Sequence, residues 1–139
     1  MMTMKELSWK GVIGALVAIG ARIWGAWDQL MAALVILMVL DVVTGFLRAF
    51  IQQELSSKES FCGIIKKVLI FCMLAVAVQV DALTGLDGWA RTAVGAFYCA
   101  SEGLSVIENS VAAGIPAPQF LKDALRQLSE EKFSGHADQ

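Results

Sequence analysis

A chain of 139 residues that is 57% hydrophobic and only 17% charged, with a mean hydropathy of +0.63, is too apolar for an ordinary soluble domain. Its length supports one small domain, and a formal net charge of −2 excludes a bulk electrostatic partner such as nucleic acid. What remains is an integral membrane protein, and its apolar runs are of helix length, so the predicted fold is all-α.

The first segment runs from Trp9 to Trp27, with a tryptophan suited to each membrane interface. Gly11, Gly14, Ala18, Ala21 and Gly25 recur at helical spacing, which makes Gly14 and Ala18 the centre of a stripe for close helix packing. Arg22 lies near the end, where it can snorkel to headgroups or pair with an acid. No small-residue cleavage site stands out, so the segment is expected to be retained. Asp28 and Gln29 make a short turn into an antiparallel hairpin with the second segment, residues 30–51.

In that second segment Asp41, Thr44, Gly45 and Arg48 share one face at i, i+3, i+4 and i+7. Either Asp41 belongs to a hydrated surface, or Arg48 or a neighbouring helix satisfies it while Gly45 eases the approach. The polar stretch QQELSSKES (52–60) reads as a loop. The third segment follows from about Phe61, with its span near 64–86 and Lys66 and Lys67 at its entry. Asp81, Thr84 and Gly85 repeat the D-x-x-T-G spelling of Asp41 to Gly45; nothing around them matches, and the repeat reads as coincidence.

The fourth segment, 89–114, is the unusual one. On a helical wheel Arg91, Tyr98, Ser101, Glu102, Ser105, Glu108 and Asn109 fall within an arc of roughly 120°. Gly103 and the alanines take the other side, as a packing surface. From Arg91 to Asn109 the rise is about 27 Å, close to the hydrocarbon thickness of a bilayer. A polar stripe of that length cannot face lipid. Glu102, Ser105, Glu108 and Asn109 are therefore predicted to line water in an oligomer, with Asp41 and Asp81 as further functional polar groups. The plainer alternative leaves Glu102 and Glu108 protonated, or paired with Arg22 and Arg91, for packing alone. Gly114, Pro116 and Pro118 end the helix.

Beyond them Phe120, Leu121, Ala124, Leu125 and Leu128 line one face of a short amphipathic helix, fit for a membrane surface or a partner. Ser129 to Gln139 reads as a frayed polar end, with His136 alone in it. The chain thus divides into a membrane part, 1–118, with four spans near 9–27, 30–51, 64–86 and 89–114, and a cytoplasmic part, 119–139. Nearly all lysines and arginines fall on one side of such a bundle, which places both termini in the cytoplasm. Cys62, Cys72 and Cys99 are widely spaced small apolar fillers rather than a metal or disulfide set. No catalytic constellation, cofactor motif or metal-ligand cluster is visible, so the chain reads as a non-enzyme without a cofactor.

The residues also resemble a family, the toxin-secretion and phage-lysis holins (phage holin family 4). The likeness covers roughly Leu40 to Leu125. It rests on D-x-x-T-G-x-x-x-A at Asp41 to Ala49, S-S-K near Ser56, G-I-x-K-K at Gly63 to Lys67, and Asp81. The longest piece is S-E-x-x-S-V-I-E-N-x-x-x-x-G-I-P-x-P from Ser101 to Pro118, where Ser101 stands in place of an expected asparagine. The resemblance implies a small phage-encoded protein that assembles with itself in the bacterial cytoplasmic membrane. At a set time it opens lesions that release a cell-wall-degrading endolysin, or a toxin. It also allows an antiholin as partner. Met1, Met2 and Met4 offer alternative starts for one, although no charge separates them and the products would differ little. The rival reading is a small proton-coupled transporter or ion channel that uses Asp41, Asp81, Glu102 and Glu108 as a relay. A non-conducting scaffold acting through the tail is the third.

Overall fold

The computed structural model describes Met1 and residues 3–134, with side chains to residue 130. The chain forms five helices: α1 Met4–Trp24, α2 Gln29–Ile51, α3 Ser57–Thr84, α4 Trp89–Ala112 and α5 Gln119–Ser134. The expected all-α class holds. The expected frayed end is helical through Ser134, and His136 lies outside the described residues.

Local capping sets the helix ends. Thr3 and Glu6 exchange hydrogen bonds in a capping box (Thr3 N–H to Glu6 Oε2, 3.0 Å; Glu6 N–H to Thr3 Oγ1, 3.3 Å), which starts α1 five residues before Trp9. Asp28 caps α2 by accepting from the Met31 N–H at 3.0 Å. Ser56 caps α3 in the same way through Glu59, so much of the expected polar loop is the first turn of a helix. At 28 residues α3 is about 42 Å long, well beyond the hydrocarbon thickness.

α1, α2 and α3 are long and apolar enough to cross a membrane. α4, expected as a fourth span, has the length but not the apolar content, because Arg91, Glu102 and Glu108 interrupt it. It is instead the most enclosed helix. α2 and α3 pack on it from one side and α5 folds back onto it from another. Small residues make this possible. Ala93, Ala96, Cys99 and Ala100 are almost fully buried, Leu30 of α2 fills the space over Gly95, and Leu125 of α5 fills that over Gly103. Of the apolar face expected on α5 only Leu125 meets α4 of the same chain, while Phe120, Leu121, Ala124 and Leu128 stay exposed. The core itself is Met31, Leu34 and Met38 of α2, Ile70 and Leu74 of α3, and Cys99 of α4.

α1 does not form the expected hairpin with α2. It packs on α3, and only its last turns take part: the Trp24 indole edge meets Phe71 and its Nε1–H donates to the Phe71 carbonyl at 2.9 Å. The rest is exposed, and a Cβ added at Gly11 or Gly14 would touch nothing. The small-residue stripe around Gly14 and Ala18 faces outward.

Candidate functional site

Because α3 begins at Ser57, Lys67 stands about 15 Å into the helix rather than at its entry. There its ammonium is held between two carboxylates, Asp41 of α2 and Glu102 of α4, and forms ion pairs with both. The three side chains are 16%, 15% and 7% exposed. Asn109, two turns further along α4, extends the network. Its Nδ2 donates to Asp41 Oδ1 at 3.1 Å and to Thr44 Oγ1 at 3.2 Å, and Thr44 donates to the Leu40 carbonyl at 2.8 Å. Gly45 leaves room for this amide, which lies 3.5 Å from where its Cβ would be. One cation between two anions leaves one negative charge, which the amide N–H groups partly offset. Unpaired carboxylates this far buried would cost several kcal/mol each, so the cluster locks α2, α3 and α4 into one register.

A cleft of about 700 Å³ opens beside the cluster, between the same helices. Ser105 and Glu108 of α4, Arg48 of α2 and Lys66 of α3 line it. From Tyr98 on, the predicted polar face of α4 lines this cleft as a whole, with Glu102 and Asn109 buried at its wall in the three-helix contact, Ser105 half-buried and Glu108 exposed.

Asp81 is elsewhere. Its carboxylate accepts from the Ala90 and Arg91 N–H groups, both at 2.8 Å, and so caps the first turn of α4 at the other end of the bundle. Gly85 closes α3 in a left-handed conformation (φ 69°) one turn later. The two D-x-x-T-G stretches therefore do different work, one in mid-helix and one at a helix end.

Arg91 is the second anchor. Its Nε donates to the Trp24 carbonyl at 2.7 Å, Nη1 to Asp28 Oδ2 at 2.7 Å and Nη2 to the Ala26 carbonyl at 2.9 Å. The guanidinium beside Asp28, together with the Met31 N–H, holds that carboxyl below its usual range. Neither expected partner of the α4 acids is used: Glu102 takes Lys67, and Arg91 takes Asp28. Sequence reasoning missed Lys67. The signal was the Ser56 cap, which moves both lysines inward by more than a helical turn. At the C-terminal end of α4, Gly114 turns the chain at φ 97°, and Pro116 and Pro118 follow before α5.

Comparison with known proteins decides what this arrangement belongs to. The model of the Bacteriophage holin family matches residues 18–130. The chain belongs to the bacteriophage holin family. A probable holin of Bacillus phage phi105 is 32% identical over 98 residues, 70% of this chain and 73% of that protein. An uncharacterized protein of Clostridium perfringens is 41% identical over 110 residues, covering 78% of this chain and 82% of its own length. One of Listeria monocytogenes is 38% identical over 127 residues, 87% and 91% of the two chains. No solved structure matches. The holin match takes in the Lys67 cluster, the Arg91 anchor and the α4–α5 contact, and leaves out most of α1. Holins are not enzymes, so the cluster is read as a holin's structural and membrane machinery rather than as a reaction centre.

Proposed function

We propose that the chain accumulates in the bacterial cytoplasmic membrane, oligomerises there, and opens timed, non-selective lesions that release an endolysin, or a toxin, and so cause lysis. The observation that carries this reading is the internal neutralisation of α4. In a family of lysis proteins, a helix too polar to cross alone has its acid Glu102 held by Lys67 against Asp41. Such a helix can be kept harmless in single chains and released by assembly. On release, the face of Glu102, Ser105, Glu108 and Asn109 lines a shared aqueous lumen, which removes the desolvation cost of its carboxylates. Small assemblies cannot enclose enough water to benefit, so opening is cooperative.

Four spans with both termini cytoplasmic go with this reading. α1, α2 and α3 have the apolar length to insert by themselves, and α4 inserts under their cover. A proton relay is disfavoured because Asp81 is committed to capping α4, about 20 Å along α3 from Lys67.

Timed induction in cells, following membrane potential and turbidity, tests the function. The expected outcome is an abrupt collapse of the barrier followed by lysis when an endolysin is present. Selective flux with continued growth would leave a transporter. In a cysteine-free background, cysteines at 102, 105 and 109 should become reactive to a polar thiol reagent after triggering, and those at 100, 104 and 107 should not.

A further inference from the structure

The cleft between α2, α3 and α4 holds an unmet requirement. Among the described side chains, Arg48 Nε is buried with no hydrogen-bond partner. Buried guanidinium nitrogens are ordinarily paired, and a charged donor left without an acceptor is costly. Arg48 lines the cleft together with Lys66, Glu59 and Glu108, while the third cation, Lys67, is already taken by Asp41 and Glu102. The charges left over are Arg48 and Lys66 against Glu59 and Glu108, with the one residual negative charge of the Lys67 cluster beside them. A simple anion would answer Arg48 but add to the acids, and a simple cation would do the reverse. A group that carries one charge of each sign suits both.

The position of the cleft says where such a group would come from. Arg48 lies twenty residues beyond Asp28 on α2, a rise of about 30 Å, which is one hydrocarbon thickness from the Asp28–Arg91 anchor. That is headgroup depth at the opposite face. The rim of the same cleft is apolar and exposed: Val42, Phe46 and Ile64 line it and point outward, where acyl chains would run. Ser101 and Ser105 add hydroxyls to its interior. A polar interior with an apolar outer rim at this depth has the shape of a lipid site rather than of a site for a soluble ion.

We propose that this cleft binds a phospholipid whose headgroup carries both a phosphate and a primary ammonium, with Arg48 on the phosphate and Glu108 on the ammonium. Lys66 supports the phosphate from the mouth. The site rests on α2 and α3 crossing the bilayer, and not on lesion formation, so it stands or falls separately from the lysis reading. A bound lipid would bridge α2, α3 and α4 beside the Lys67 cluster and oppose the release of α4.

The test uses the full-length chain in dodecyl maltoside micelles. Dioleoyl-phosphatidylethanolamine, -phosphatidylglycerol and -phosphatidylcholine are added separately, and retained lipid is counted by native mass spectrometry. The wild type should retain the ethanolamine lipid at roughly tenfold lower concentration than the other two, because the glycerol headgroup has no cation for Glu108 and the choline ammonium cannot donate. R48Q should lose about tenfold in retention of the ethanolamine lipid. E108Q, at an exposed position that leaves packing untouched, should erase the preference for ethanolamine over glycerol while phosphate binding persists. Equal retention of all three lipids by the wild type would overturn the proposal. So would an E108Q protein that keeps the preference, or displacement of the lipid by millimolar inorganic phosphate.

Discussion

The replacement Lys67→Met probes the charged cluster most directly. Methionine keeps most of the volume and the flexible stem but removes the ammonium, so Asp41 and Glu102 are left facing each other. Removing one partner of a buried ion pair costs about 3–5 kcal/mol. Two features of the site set the value within that range. Both carboxylates lose the same cation, which raises the cost; Asp41 keeps the Asn109 N–H and some exposure, which lowers it. The expected loss is therefore about 3 kcal/mol. The triple replacement K67M/D41N/E102Q removes all three charges at nearly constant volume and should recover to within about 1 kcal/mol of the wild type, because a neutral replacement of a buried ion pair is often harmless. Stability would be read from reversible unfolding of the full chain in mixed micelles, followed through tryptophan fluorescence, since Trp24 packs against Phe71 beside the core. A K67M loss below 1 kcal/mol, or a triple variant no better than K67M, would refute the view that charge neutralisation holds these helices together.

Gly25→Ala forces a side chain into a glycine-only conformation (φ 80°, ψ −176°) and places its Cβ 2.6 Å from Arg91 Nε; it should cost about 2–3 kcal/mol, whereas Gly20→Ala, in open space, should be neutral or slightly stabilising in the same unfolding assay. Leu125→Ala removes the side chain that covers Gly103 and should free α5, seen as several-fold faster tryptic cleavage at Lys122 and Arg126 with no change in protection of Lys67. Asp28→Ala loses both the helix cap and the pair with Arg91, a cost of about 1 kcal/mol after allowing for screening at this half-exposed site. Because the folded carboxyl is held below its usual range, that stabilisation is complete above about pH 4, the ordinary aspartate value, and fades as the pH falls through the lower folded value; an unchanged gap between wild type and variant at pH 2 would contradict it.

Hydropathy alone marks where α1 to α3 lie, because long apolar runs are a one-dimensional signal; α4 is marked by its wheel pattern and by Gly114, Pro116 and Pro118 at its end. Helix starts were less legible, since they depend on single hydrogen bonds: the Thr3–Glu6 box and the Ser56 cap each move a start several residues outward. Partner choice was least legible of all. The wheel correctly groups Glu102 with Asn109, and Gly45 was expected to ease an approach to Asp41, which Asn109 makes. Nothing in a wheel says which face of α3 meets α2 and α4, and Lys67 becomes their common partner only once that face is fixed. Asp81 has the same spelling around it as Asp41, yet it sits at the α3–α4 turn, where two free N–H groups claim it. The short apolar face of α5 is legible from its spacing, but the wheel does not show that Gly103 of α4 leaves a gap for Leu125 while Phe120, Leu121, Ala124 and Leu128 stay exposed.

The α4–α5 contact bears on how α4 could cross a membrane at all. Leu125 lies over Gly103, and Arg126, Ser129 and Glu130 lie beside Phe97 and Ala100. Ala100 is twelve residues, or about 18 Å, from the end of α4 at Ala112. If α4 enters from the cytoplasmic face with α5 still seated on it, Arg126 reaches past the middle of a hydrocarbon layer about 30 Å thick. Asp123 and Gln127 are exposed on the outer side of α5 among the exposed Phe120, Leu121 and Leu128, so these polar groups would meet acyl chains at a depth where charged groups are strongly disfavoured. A lone subunit in lipid can avoid this only by lifting α5 away, which uncovers Gly103 and Leu104 for another helix. On the proposed lysis reading α4 would then be stable across the bilayer where copies meet and cover the face that α5 leaves, so the polarity that opposes its insertion would also favour assembly.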